Sequence, residues 1–170
     1  MGQKRLGRQL GMGEEDTKEL FTTYHARVPF VKQLMNLAMK TANDNGQVRT
    51  ILGRICHFDL WEPTRFGVHK PLRREEAVRK YGSSLKRGFI YKALNKLIQG
   101  SAADQTKKAM IEVHKVGIIP HIQVHDELNV SITSELMRDE IKQIMENCVQ
   151  LEVPSKVDAK EGKSWGEIKK

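Results

Sequence analysis

The run from Lys86 to Val116 constrains the fold most: it holds no proline and sets Ile90, Leu94, Leu97, Ala102, Ala109, Met110, Val113 and Val116 at helical spacing. Apolar residues recurring every three to four positions bury one face of a helix, so one long helix is predicted to organise the chain. Gly100 in its middle costs about 1 kcal/mol relative to alanine, which points to a close approach by another backbone or a slight break. Gly117 is placed to cap the C-terminus. Beyond it, Ile118–Val124 and Leu128–Ile132 are rich in β-branched residues and are separated by His125-Asp126-Glu127, the pattern of a β-hairpin. Pro120 suits only the start of the first strand.

The same logic orders the rest. An acidic first turn followed by Leu20, Phe21 and Tyr24 predicts a helix over Glu14–Arg27, ended by Pro29. A second helix is expected over Phe30–Ala42, with Val31, Leu34, Met35 and Ala38 on one face and Asn43-Asp44-Asn45-Gly46 as its stop. Val48–Leu52 and Cys56–Trp61 read as short strands, and Pro63–Pro71 as loop. A last amphipathic helix, Ser134–Gln150, would bury Leu136, Met137, Ile141, Ile144, Met145 and Cys148, followed by a short strand at Lys156–Ala159. The fold class expected is α+β.

Charge narrows the function. The 170 residues hold 29 Lys and Arg against 21 Asp and Glu, a net charge of +8, and nearly all the excess lies between Arg65 and Lys92, where nine basic residues face only Glu75 and Glu76. Such a block can neutralise phosphates and release counterions, as a nucleic-acid partner requires, and from charge alone a solvated loop and helix face reads equally well. With 39% hydrophobic and 29% charged residues the chain fits neither a disordered nor a membrane-spanning class. No apolar run approaches the roughly 20 residues that span a bilayer, and the N-terminus lacks the apolar stretch of a signal peptide. Cys56 and Cys148 lie far apart without CxxC spacing, which suits a reducing cytoplasm.

Asp126 and Glu127, adjacent at a hairpin tip between apolar strands, suit a hard cation. Mg²⁺ takes oxygen ligands and is commonly held by one or two carboxylates together with substrate phosphates. Two-metal phosphoryl transfer, with ions about 3.5–4 Å apart, needs carboxylates from more than one strand. No second acidic strand is evident: Asp59 and Asp158 lack supporting context. His121 and His125, four apart, lack a third zinc ligand of suitable spacing.

The stretch Ile122-Gln123-Val124-His125-Asp126-Glu127-Leu128, preceded by Leu97-Ile98-Gln99-Gly100-Ser101-Ala102-Ala103-Asp104, resembles the C-terminal palm of family A DNA polymerases, the family of bacterial DNA polymerase I and many phage replicative enzymes. The resemblance extends through Arg8-Gln9-Leu10, through Gly46 with Thr50-Ile51-Leu52-Gly53-Arg54, and to Gly162-Lys163-Ser164-Trp165, nearly the whole chain. The basic insertion around Trp61–Arg87 looks more phage-like than bacterial.

That resemblance implies nucleotidyl transfer from a dNTP to a primer 3′ end on primer-template DNA, with Mg²⁺ as cofactor. It implies that Asp126 ligates the catalytic metals, that Glu127 supports them, and that His125 lies beside the primer terminus. Asn95 and Gln99, one helical turn apart, would face the minor groove, where base-edge acceptors are similar for every pair. Charge alone adds Lys92, Lys96 and Arg87 as DNA-backbone contacts. By the same resemblance, residues 1–86 correspond to the distal fingers and 87–170 to the C-terminal half of the palm. Met1-Gly2 would follow the Tyr-Gly that ends the nucleotide-binding helix. The first palm aspartate and that helix are expected from a partner chain, without which these residues would be inactive. A non-catalytic duplex-DNA module and an inactive remnant are the alternatives.

Overall fold

The structure, a computed structural model, describes residues 3–168; Met1-Gly2, matched above to residues after the Tyr-Gly, lie outside them. Two compact units form. One takes the chain through Val48 together with Ile55–Lys96, and the other takes Arg49–Arg54 and the chain from Leu97 onward.

The first unit begins with three helices, α1 (Gln3–Leu10), α2 (Glu14–Arg27) and α3 (Pro29–Asn45). The corner between α1 and α2 is tight: a Cβ on Gly7 would come within 2.6 Å of the Thr17 Oγ1, which itself donates to the Gly13 carbonyl at 2.6 Å. Three acids in the first turn of α2 complement its dipole, and its bounds are those expected. Val28 caps α2, and Pro29, instead of only ending a helix, opens α3 at its first turn, where a missing N–H costs nothing. α3 runs through Asn43–Asn45 to Gly46, which adopts φ +70° and donates its N–H to the Ala42 carbonyl at 3.0 Å; the stop is the glycine alone.

A hairpin, β1 (Gln47–Arg49) and β2 (Ile55–His57), follows. The strand expected over Cys56–Trp61 is broken in two, because buried Phe58 turns to donate its N–H to the Gly46 carbonyl at 2.8 Å. Its second half, β3 (Leu60–Pro63), is the centre of an antiparallel sheet of order β4 (Leu72–Arg73), β3, β5 (Leu85–Arg87). Helix α4 (Arg74–Tyr81) lies between β4 and β5 in sequence. The long helix therefore starts later than expected. Lys86 and Arg87 pair with Glu62 and Trp61 across the sheet, Phe89 takes a left-handed φ of 59°, and Ile90–Lys92 forms a single 3₁₀ turn before α5 (Ala93–Lys115) begins. The core of this unit is made of Ala38, Ala42, Val48, Phe58 and Ala93, with Cys56, Ile90 and Leu94 against it.

In the second unit α5 ends at Gly117, at φ +83°, as expected. The hairpin β6 (Pro120–Val124) and β7 (Glu127–Val130) and the helix α6 (Glu135–Asn147) follow. Val113 of α5, Ile118 and Ile141 of α6 form its core, lined by Val130, Ile132, Met137, Ile144 and Met145. Ser134 caps α6 by accepting from the Met137 N–H at 3.2 Å. Leu136, expected on the buried stripe of α6, is 82% exposed. The strand expected at Lys156–Ala159 does not form: among the described residues no strand pairs with it, and the Val157 N–H donates instead to the Glu146 Oε1 at 2.9 Å. The fold is thus a mixture of helices with small sheets, without the C-terminal strand. Among the described residues no helix is long and apolar enough to cross a membrane.

Candidate functional site

The sharpest local constraint in the second unit is the turn of the β6–β7 hairpin. Val124 pairs with Glu127, leaving His125-Asp126 as a two-residue connection. Such turns require a positive φ at the first central residue, usually met by glycine or asparagine. Here His125 meets it at φ 54°, and the Gln123 Nε2 donates to its carbonyl at 2.8 Å. A non-glycine residue in the left-handed region costs on the order of 1–2 kcal/mol, and strain of this kind collects at functional sites. Asp126 and Glu127 are exposed at the same end, and among the described residues neither is in a salt bridge. Their hard oxygens suit Mg²⁺. The set is partial, however: among the described residues no three His, Cys, Asp or Glu side chains converge as metal ligands. His121 is engaged with the Ser131 Oγ at 3.1 Å.

The expected DNA-contacting residues separate into two kinds. Asn95 and Gln99 both lie on α5 four positions apart and are exposed, as are Lys92 and Lys96. Lys96 is partly committed: its Nζ donates to the His57 carbonyl at 3.1 Å and lies 4.4 Å from the Phe58 ring centre. The Lys92 Nζ stands 4.5 Å over the Phe89 ring. Arg87 is turned into the fold. Its guanidinium donates to the Asn43 carbonyl at 2.9 Å and the Phe58 carbonyl at 3.0 Å, and lies 4.6 Å over the Trp61 ring. A Cβ on Gly46 would fall 2.8 Å from its Cζ.

Motif counting missed a buried ionic network in the second unit. Asp104 of α5 is 7% exposed. It accepts from the Thr50 hydroxyl and, at 2.7 Å, from the Arg54 Nε. Arg54 also donates to the Gly100 carbonyl at 2.8 Å, and the Ile51 N–H donates to the Ser101 Oγ at 3.0 Å. The approach expected at Gly100 is therefore that of the Thr50–Arg54 turn, itself closed by the Gly53 N–H on the Thr50 carbonyl at 2.9 Å. Burial pushes the Asp104 carboxyl up, but the Thr50 hydroxyl and the Arg54 guanidinium outweigh it and hold it below the ordinary aspartate range. The available signal was an acid placed where α5 needs a buried face, with Thr50 and Arg54 as the donors.

The comparisons with known proteins bear on the whole of this architecture. The family model for DNA polymerase family A matches residues 1–167. The chain is 35% identical over 147 residues to a DNA-directed DNA polymerase of Pseudomonas phage M6, covering 86% of this chain and 19% of the relative. It is 34% identical over 174 residues to DNA polymerase I of Lactococcus lactis, covering 96% of this chain and 18% of the relative. Among solved structures, the polymerase domain of Pol1 from M. smegmatis, in complex with DNA primer-template and dNTP, aligns with a TM-score of 0.75 and 28% identity. That alignment covers 99% of this chain and 28% of the other. The chain spans less than a fifth of the length of these curated relatives. With a family match over residues 1–167, the chain belongs to DNA polymerase family A.

Proposed function

We propose that these residues contribute the motif C half of the palm (residues 87–170) and the distal fingers (residues 1–86) to DNA-templated DNA synthesis, joining a dNTP to a primer 3′ end. The observation that carries the reading is the hairpin turn: His125, at positive φ, sets Asp126 and Glu127 in the open at the end of a short antiparallel ladder. Asp126 would be the principal Mg²⁺ ligand and Glu127 its neighbour. The cation, when bound there, supplies charge neutralisation for the triphosphate and the primer oxygen. The chain's own part is to hold two acceptor-only carboxylates in register, and to place the His125 ring beside the primer terminus. Asn95 and Gln99 offer amide donors to minor-groove acceptors common to every base pair, and Lys92 and Lys96 offer phosphate contacts. Because Asp126 and Glu127 do not complete a ligand set, the second palm carboxylate and the nucleotide-binding helix come from polypeptide outside these 170 residues. The M. smegmatis relative, bound to primer-template and dNTP, supports DNA and dNTP as the partners.

Primer extension with Mg²⁺, using the chain joined to or mixed with a polymerase portion that ends in the Tyr-Gly helix, tests this. Asp126→Asn should abolish synthesis while leaving the melting temperature within a degree or two, since the side chain is exposed. Full activity of Asp126→Asn would refute the reading and favour a duplex-binding module without chemistry.

A further inference from the structure

The loop that joins β3 to β4 carries the most exposed apolar side chains of the described residues. Phe66 and Val68 are fully solvated, at 106% and 105% relative exposure. Their loop is nonetheless anchored at both feet. Thr64 donates its N–H to the Ser84 carbonyl at 3.1 Å, and its hydroxyl lies 2.7 Å from the Ser84 Oγ. The Tyr81 hydroxyl donates to the Lys70 carbonyl at 3.1 Å, and the His69 ring meets the Tyr81 ring edge-on at 5.7 Å. Between the two apolar residues Gly67 turns at φ +143°, where a Cβ would strike the His69 ring at 2.8 Å. The result is an aromatic held out from a fixed base. Arg65 and Lys70 flank it, and from Leu60 to Gly88 eight basic residues face three acids.

We propose that this loop is a single-stranded DNA contact separate from the β6–β7 turn, with Phe66 stacking on an unpaired base and Arg65 and Lys70 holding the adjacent phosphates. The proposal rests on the polymerase reading above, in that an unpaired template strand is the polyanion such a protein meets. An aromatic face set among cations is the chemistry that binds bases without reading their sequence, and the flanking charge excludes a basic or purely apolar partner.

The test is fluorescence anisotropy of the full chain with a labelled oligo-dT strand at low salt. Phe66→Ala should weaken binding about tenfold, the order expected for loss of one stacked base, Phe66→Trp should restore it, and Phe66→Leu should not. On an abasic strand of equal length Phe66→Ala should have no effect. Arg65→Ala with Lys70→Ala should lower the salt dependence, which Phe66→Ala should leave unchanged. Equal affinity of wild type and Phe66→Ala for oligo-dT overturns the proposal. So does a Phe66-dependent affinity confined to anionic phosphatidylserine vesicles or equal on abasic strands. Asp126→Asn separates the two claims, because it should remove synthesis and keep Phe66-dependent strand binding.

Discussion

Replacing Asp104 by alanine gives the most quantitative check on how the second unit is held. The carboxylate accepts two hydrogen bonds, from Thr50 and from Arg54, and each bond to a charged group contributes about 1.5–3 kcal/mol. Two would give about 3–6 kcal/mol. The Arg54 side chain is 46% exposed, so water screens its share and takes it up when the acid is gone, and the deletion also removes the cost of burying the charge. A net loss of about 2–3 kcal/mol remains, which for a chain of this size lowers the melting temperature by about 5–10 °C. Calorimetry on wild type, Asp104→Ala, Arg54→Met and the double variant measures it, with the double variant expected to lose much less than the sum of the single variants. The pH dependence has a fixed sign. Because the folded carboxyl titrates below its unfolded value near 3.9, its contribution is complete above that value and is lost as pH falls through the lower, folded one. The gap between wild type and Asp104→Ala should therefore be constant from about pH 5 to 7 and shrink below about pH 4. A gap under 1 °C at neutral pH, or one that widens in acid, would refute the account.

Other perturbations test the remaining elements. Arg87→Lys should destabilise the first unit by about 1–2 kcal/mol in urea unfolding, because an ammonium cannot reach both the Asn43 and Phe58 carbonyls and stack on Trp61; an unchanged midpoint would leave Arg87 free for DNA. Ser134→Ala should cost about 1 kcal/mol by removing the cap of α6, read as a lower melting temperature. His125→Gly should relieve the left-handed strain, leaving thermal stability equal or about 0.5 kcal/mol higher, while primer extension falls at least tenfold; retained synthesis would show that the imidazole has no role. The Cys148 thiol is pushed up by burial, so it should alkylate with iodoacetamide more slowly at pH 8 than a free cysteine, as mass spectrometry of the intact chain would show.

What could be read from the sequence divides by whether an element finds its partner nearby. Helix α2 was legible to its ends because its acidic first turn and Pro29 act locally, and the β6–β7 hairpin was legible because only two residues separate its strands and Pro120 marks the entry. Lys86 and Arg87 read as helix, since nothing local forbids it. They became strand because Trp61 and Glu62, some 25 residues earlier, offer a ladder, and Phe89 then had to reverse the chain at positive φ. Lys156–Ala159 failed for a different reason: of its four residues only Val157 favours a strand, and the Val157 N–H is taken by the Glu146 carboxylate. The site divides in the same way. The carboxylates of Asp126 and Glu127 were visible from their own turn, whereas the clamp that fixes α5 joins Asp104 to Thr50 and Arg54, residues about 50 positions away. Arg87 shows what charge counting leaves out: a guanidinium counted as a phosphate contact also gives two of its N–H donors to carbonyls of its own fold. Phe66 is the converse, an aromatic in the loop expected over Pro63–Pro71 that stands fully in water. A surface argued from charge must therefore be corrected for the cations the fold consumes and the apolar groups it declines to bury.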